Sequence, residues 1–176
     1  MSRPVLVLAL FAAVLAAGCS RPVTKIQTLP SGPLTKSQYE DAFDVSASGL
    51  APKYGVGQEL PPGAPAADQA AHVVGLQKLL RDWAGRLAGL QPPAVAARAQ
   101  ARYVAGIRSF ATDLDRAKAA LDRGDTRTAN ALLTSGRIVS ARTRADLVAA
   151  RRAFHALDYD LENLDKSPVT TDSKPS

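Results

Sequence analysis

The stretch at residues 73–90, VVGLQKLLRDWAGRLAGL, decides the fold. Its apolar side chains recur at alternating spacings of three and four, which is the pattern of a helix with one buried face. They are Val73, Leu76, Leu80, Trp83, Leu87 and Leu90. The stretch predicts a helix that Asp68 caps and that ends at Gln91-Pro92-Pro93. Because Trp83 occupies one of these apolar positions, we interpret it as a core residue rather than a binding residue.

The same periodicity extends along the rest of the chain. Residues 94–123 predict a second long helix. Gly124 ends this helix as its C-cap, and Asp125 is the N-cap of the next helix. Residues 126–164 predict a third, continuous helix of roughly 60 Å at 1.5 Å per residue. Ahead of the first long helix, the capping-box spacing of Ser37 and Glu40 predicts a short helix that ends before Pro52.

These elements predict an all-α fold, an antiparallel bundle of three long helices plus one short N-terminal helix, over residues 34–164. The predicted apolar positions of the other three helices are Tyr39, Phe43, Ser46 and Leu50, then Tyr103, Ile107, Phe110, Leu114, Ala117 and Leu121, then Leu132, Gly136, Val139, Thr143, Leu147, Ala150, Phe154, Leu157, Leu161 and Leu164. Residues 19–33 are predicted to form a flexible tether, and residues 165–176 a disordered tail.

Composition restricts the partners of the chain. It has 22 Lys and Arg against 16 Asp and Glu, a net charge of +6. This charge suits an anionic lipid surface or a cell-wall polymer, and equally suits plain solubility. Aromatic residues make up only 5% of the chain, which argues against a base-stacking surface and therefore against nucleic acid.

The N-terminal segment has the layout of a signal peptide over residues 1–18. Arg3 precedes an apolar run at residues 5–17, which has the length of a signal-peptide core and is shorter than the ~20 residues of a membrane-spanning helix. Ala16-Ala17-Gly18 also fits the cleavage site of an ordinary secreted protein. Cys19 is the only cysteine in the chain, however, and a solitary thiol is unusual in a secreted protein.

The residues Leu15-Ala16-Ala17-Gly18-Cys19 resemble the lipobox at which bacterial lipoproteins are cleaved and lipidated. The favoured lipobox has Leu at the third position before the cysteine. This chain has Ala16 at that position, and its Leu15 lies one residue earlier. Its Ala- and Arg-rich body, with LTKSQY at 34–39 and ALDRGDTRTANALL at 120–133, resembles helical lipoproteins of high-GC Gram-positive bacteria. The resemblance implies that Cys19 carries at least two acyl chains such as palmitate, which hold a protein stably on a membrane. It also implies attachment to the extracytoplasmic face of the cell membrane.

The sequence indicates no catalytic, cofactor or metal site. It lacks a GxSxG motif, a Gly-rich phosphate loop and an HExxH motif. His72 lies four residues after Asp68, which makes either a weak metal pair or a hydrogen-bonded contact, and His155 lies next to Phe154. The carboxylates near the C-terminus are interpreted as a solvated helix end. They are Asp158, Asp160, Glu162 and Asp165.

The one suggestive feature is a set of arginines. In a continuous helix, Arg137, Arg144, Arg151, Asp158 and Asp165 share one face because they are seven residues apart. Folding the helices back on one another predicts a basic belt of Arg86, Arg98, Arg151 and Arg152 near Pro92, a candidate polyanion contact. The alternative is a solvated face that is partly paired with carboxylates such as Asp82.

The sequence therefore favours a membrane-tethered lipoprotein whose non-catalytic domain binds an envelope protein or an anionic polymer. One alternative is a small-ligand carrier with a pocket between helices. Another is an enzyme whose site residues the sequence does not group.

Overall fold

The computed structural model describes residues 32–56, 60–61 and 63–165. The predicted signal peptide, Cys19, residues 19–31 of the tether and residues 166–176 of the tail lie outside these ranges. Within them every regular element is helical and none is a strand. The predicted all-α fold is confirmed.

Eight helices follow one another in the described part of the chain. They are α1 (Lys36–Val45), α2 (Leu50–Lys53), α3 (Ala66–Gly89), α4 (Ala97–Asp113), α5 (Asp115–Asp122), α6 (Thr126–Thr134), α7 (Ala141–His155) and α8 (Glu162–Asp165).

Helix α4 forms the centre of the bundle, with α3 packed on one side and α7 on another. The α3–α4 pair is antiparallel, because Gln77 donates to Ala111 O at 3.0 Å while Gln100 donates to Leu87 O at 2.9 Å. Helix α5 packs against α3 and α6. The predicted antiparallel helical bundle is therefore confirmed.

The core consists largely of the apolar positions that the sequence predicts. Every predicted apolar position of α1 and α3–α5 is buried except Leu90, which is half-buried at the end of α3. Of the positions predicted for the last part of the chain, those that are buried are Thr143, Leu147, Ala150, Phe154, Leu161 and Leu164.

Helix α1 docks on the bundle through aromatic side chains. The Phe43 ring centroid lies 5.5 Å from that of Tyr103 on α4, and the Tyr39 centroid lies 6.2 Å from that of Phe154 on α7. Trp83 on α3 stacks edge-on against Tyr103, and its Nε1–H donates to Ser46 Oγ at 2.8 Å. Trp83 is thus a core residue, as predicted, and it also holds the end of α1.

The helix starts differ from the predicted ones. The capping box of α1 is formed by Thr35 and Gln38 rather than by Ser37 and Glu40: Thr35 N–H donates to Gln38 Oε1 at 3.0 Å, and Gln38 N–H donates back to Thr35 Oγ1. Helix α3 begins directly after Pro65, so Asp68 lies in its first turn and does not cap it. There its negative charge still interacts favourably with the positive end of the helix dipole.

The prediction of one continuous helix over residues 126–164 is wrong. Helix α6 ends at Thr134, and the chain then turns through Gly136, whose φ of 67° suits a residue without a side chain. Helix α7 starts afresh after Ser140, whose hydroxyl accepts from the Thr143 N–H at 3.2 Å. The predicted helix over residues 94–123 starts at Ala97 and is interrupted at Leu114.

Candidate binding surfaces

Arg86 binds the chain's own backbone. Its Nη1 donates to Ser46 O at 3.1 Å and to Ser48 O at 2.9 Å, so the guanidinium holds the link between α1 and α2 against α3. Arg86 therefore lies on the side of the bundle that α1 covers.

Arg98 lies on a different side. It is exposed on α4, five residues before Tyr103, whose ring contacts Phe43 of α1. Five residues of α-helix correspond to a rotation of about 140°. Arg98 therefore points away from α1, and the structure does not bring it together with Arg86. The polyanion contact of the four arginines stays a prediction.

Arg151 and Arg152 lie in the last turn and a half of α7. Arg151 is half-buried and its Nε–H donates to His155 Nε2 at 3.4 Å, while Arg152 is exposed. The predicted common face with Arg137 and Asp158 does not form. Arg137 lies between α6 and α7, and Asp158 follows α7 with a φ of 58°.

A cluster around Asp82 was not predicted from the sequence. Its carboxylate accepts from Lys53 Nζ at 2.7 Å and from the Tyr54 hydroxyl, and Lys53 Nζ lies 4.8 Å from the Tyr54 ring centroid. The hydrogen bonds from Lys53 and Tyr54 hold the pKa of Asp82 below its usual value, and the bond to Asp82 raises the pKa of Lys53. Asp82 thus binds Lys53 at the end of α2 and the following Tyr54, and the charge of Arg86 also lowers its pKa.

One sequence signal pointed to this contact. Gly75 lies in the interior of α3, where glycine is unfavourable, and one side of the helix there meets the backbone of Tyr54. A Cβ atom at position 75 would come within 2.5 Å of Tyr54 O. The glycine allows Tyr54 and Val56 to approach α3 closely. The cluster exposes a carboxylate already paired with a cation, so its evident role is to dock this segment.

The two histidines lie on different helices and in different surroundings. His72 is half-buried, and burial lowers its pKa below the usual value, whereas Asp68 is exposed. His155 interacts with Arg151 at the end of α7. Among residues 32–56, 60–61 and 63–165, no group of three His, Cys, Asp or Glu side chains is placed to hold a metal ion.

The acidic residues after α7 gather on the α1 side of the bundle. Glu40 of α1 accepts from the Asp160 N–H at 3.0 Å, and Asp44 accepts from the Glu162 N–H at 3.3 Å. Asp158, Asp160 and Glu162 are themselves exposed, so they form a solvated segment, although it is bound to α1 and not part of a long helix.

Nothing in the described part of the chain bears on Cys19 itself. No helix there is both long enough and apolar enough to span a bilayer. No protein-family model, curated protein or solved structure matches the chain significantly.

Proposed function

We propose that the chain is an extracytoplasmic lipoprotein whose mature N-terminus is a lipidated Cys19. The observation that carries this proposal is the order of features at the N-terminus: Arg3, the apolar run at residues 5–17, then small residues and the only cysteine of the chain. Two acyl chains hold a protein on a bilayer stably, whereas one is marginal. The helical domain then needs no membrane-inserting surface of its own.

The helical domain acts in binding or scaffolding rather than in catalysis. Its buried polar side chains join one helix to another, as Gln77 does when it donates to Ala111 O and to Asp115 Oδ1, at 3.0 and 2.6 Å. The partly exposed Asp82 likewise joins α3 to Lys53 at the end of α2 and to Tyr54. Such contacts support a rigid body that presents its surface to an envelope protein or an anionic polymer.

Fractionation of cells that express the chain tests the anchor. We expect the parent chain and a Ser20→Ala control to sediment with membranes and to dissolve only in detergent. The Cys19→Ser variant loses the acyl acceptor, so we expect it in the medium or uncleaved. Release of the parent chain into the medium in a cleaved form, to the same extent as the Cys19→Ser variant, contradicts the proposal.

The second candidate function is that of a small-ligand carrier, and one buried hydroxyl group supports it. The Tyr39 hydroxyl is fully buried among aromatic rings, and no partner for it lies in the described part of the chain. A ligand that entered between α1 and α7 with a hydrogen-bond acceptor would satisfy this hydroxyl. A thermal shift on adding a polar aromatic compound, lost in Tyr39→Phe, is the result that favours this function.

A further inference from the structure

Positive charge is concentrated on two neighbouring helices. Helices α4 and α7 pack against each other and together carry seven arginines and two aspartates, a net charge of +5. The helices α1, α2 and α3 carry five basic and five acidic side chains and are neutral together. The basic character of the chain therefore has a definite location in the fold.

Several of these arginines are available to a partner. Arg98 and Arg108 are exposed on α4, and Arg142 and Arg152 are exposed on α7. Within residues 32–165, wherever the structure describes the chain, no hydrogen bond or ion pair engages these four side chains. Arg102 reaches across from α4 to Asp146 of α7 at 3.8 Å and joins the two helices. We call the five arginines Arg98, Arg102, Arg108, Arg142 and Arg152 the α4–α7 basic surface.

The α4 arginines of this surface face away from the acidic part of the domain. Tyr103 contacts Phe43 of α1, and Arg98 and Arg108 lie five residues before and after it. Each is therefore rotated about 140° from Tyr103, in opposite senses around α4, and both lie within about 40° of the direction opposite to it. Residues 158–165 contain four carboxylates and no basic side chain, and Glu40 and Asp44 bind this segment to α1. Helix α4 thus carries Arg98 and Arg108 on the side opposite to α1 and to the acidic segment that is bound there.

We propose that the α4–α7 basic surface lies against the anionic lipid headgroups of the bilayer that holds Cys19, an inference that rests on the proposed function. A guanidinium pairs with phosphate through two parallel hydrogen bonds, and each basic residue near an anionic bilayer strengthens association roughly fivefold. Arg98 and Arg108 are about 15 Å apart along α4, which spreads the contact over several headgroups.

The surface has the composition of one that lies on a bilayer rather than in it. Between the arginines of α4 the exposed positions are the small side chains of Ala101 and Ala105, which supply no apolar wedge. A weak contact suffices because a tether of some 14 residues reaches at most roughly 50 Å and keeps the domain close to the headgroups. The acidic side, repelled by the same headgroups, then faces outward.

Vesicle binding of the chain from Ser20 onward tests the surface without the lipid anchor. This chain retains every contact described above, and circular dichroism checks that each variant keeps its helices. We expect it to sediment with phosphatidylglycerol vesicles at low salt and to dissociate from them as the salt concentration rises. We expect no binding to phosphatidylcholine vesicles. Replacing Arg98, Arg108, Arg142 and Arg152 by Gln lowers binding to the anionic vesicles at least about tenfold.

A matched variant controls for net charge. Replacing the exposed Lys78, Arg81, Arg123 and Arg127 by Gln removes the same charge from other parts of the surface and lowers binding less than about threefold. Equal losses in the two variants, or no loss in either, overturn the proposal. Binding to purified anionic cell-wall polymer but not to anionic vesicles overturns it in favour of a polymer.

A fluorescent label tests the orientation. Because the chain from Ser20 lacks cysteine, Ala105→Cys and Asp41→Cys each introduce one unique labelling site, on the basic and on the acidic side. On anionic vesicles that contain a headgroup quencher, we expect the label at position 105 to be quenched at least twofold more than that at 41. Equal quenching contradicts the proposed orientation. None of these results depends on lipidation, so a failed anchor and a failed surface are distinguishable.

Discussion

Gly106 of α4 lies directly against Leu147 of α7. A Cβ atom at position 106 would come within 2.7 Å of Leu147 Cδ2 and within 3.4 Å of its backbone nitrogen. The two helices approach this closely only because residue 106 has no side chain. The same approach brings Ser109 and Thr143 together, with Thr143 Oγ1 donating to Ser109 Oγ at 2.8 Å. The α4–α7 pair that carries the basic surface therefore depends on one glycine.

We expect Gly106→Ala to lower the free energy of unfolding by about 1–2 kcal/mol. Overpacking costs about 1–3 kcal/mol, and the better helix propensity of alanine offsets less than about 1 kcal/mol of it. The control is Gly85→Ala in α3, where a Cβ atom would meet nothing within 4 Å and where stability should rise by up to about 1 kcal/mol. Urea unfolding of both variants measures the difference, and a Gly106→Ala variant as stable as Gly85→Ala contradicts the close packing.

We expect the substitution of tyrosine by phenylalanine to have opposite effects on stability at positions 39 and 54. Because the Tyr39 hydroxyl is buried without a partner, which raises its pKa above the usual value, Tyr39→Phe should stabilise the domain by about 1 kcal/mol. Tyr54 donates to Asp82, so Tyr54→Phe should lower the melting temperature. Calorimetry of the two variants checks the signs, and a destabilised Tyr39→Phe variant contradicts the buried, unpartnered hydroxyl.

The Asp82 cluster predicts a dependence of stability on pH. The folded-state pKa of Asp82 is lowered mainly by its hydrogen bond with Lys53, so its stabilising effect is present above the unfolded pKa of about 4 and is lost as pH falls through the folded value. Asp82→Asn should therefore lower the melting temperature at pH 7, and the difference should shrink below pH 4. Melting curves of both proteins from pH 7 to pH 2 test this. A gap that stays constant over that range would show that Asp82 contributes no charge-dependent stability.

The sequence predicted those parts of the fold that local patterns determine. The apolar positions of α3 and the caps at Gly124 and Asp125 are where the periodicity and the turn chemistry placed them. Gly124 has a φ of 77°, and Asp125 Oδ1 accepts from the Thr128 N–H at 2.9 Å. Each of these features is decided by residues within a few positions of itself.

Other features depend on distant side chains. The interruption at Leu114 is not marked by a proline or a glycine. Beside it, Ala111 O accepts a hydrogen bond from Gln77, which lies 34 residues before Ala111 in the sequence. The start of α7 is held by Asp113, which accepts from the Ser140 N–H at 2.8 Å. The contacts of the predicted belt arginines could not be foreseen for a related reason. Their placement assumed a continuous helix after residue 126, and it did not include the bonds from Arg86 to Ser46 O and Ser48 O.

The most direct test of the account is the mass of the N-terminal peptide of the chain purified from membranes. We predict a peptide that begins at Cys19 and carries at least two acyl chains. Treatment with a lipase should reduce its mass by the acyl groups. An N-terminal peptide with an unmodified Cys19 thiol, or a mature chain that begins after Cys19, would contradict the central claim.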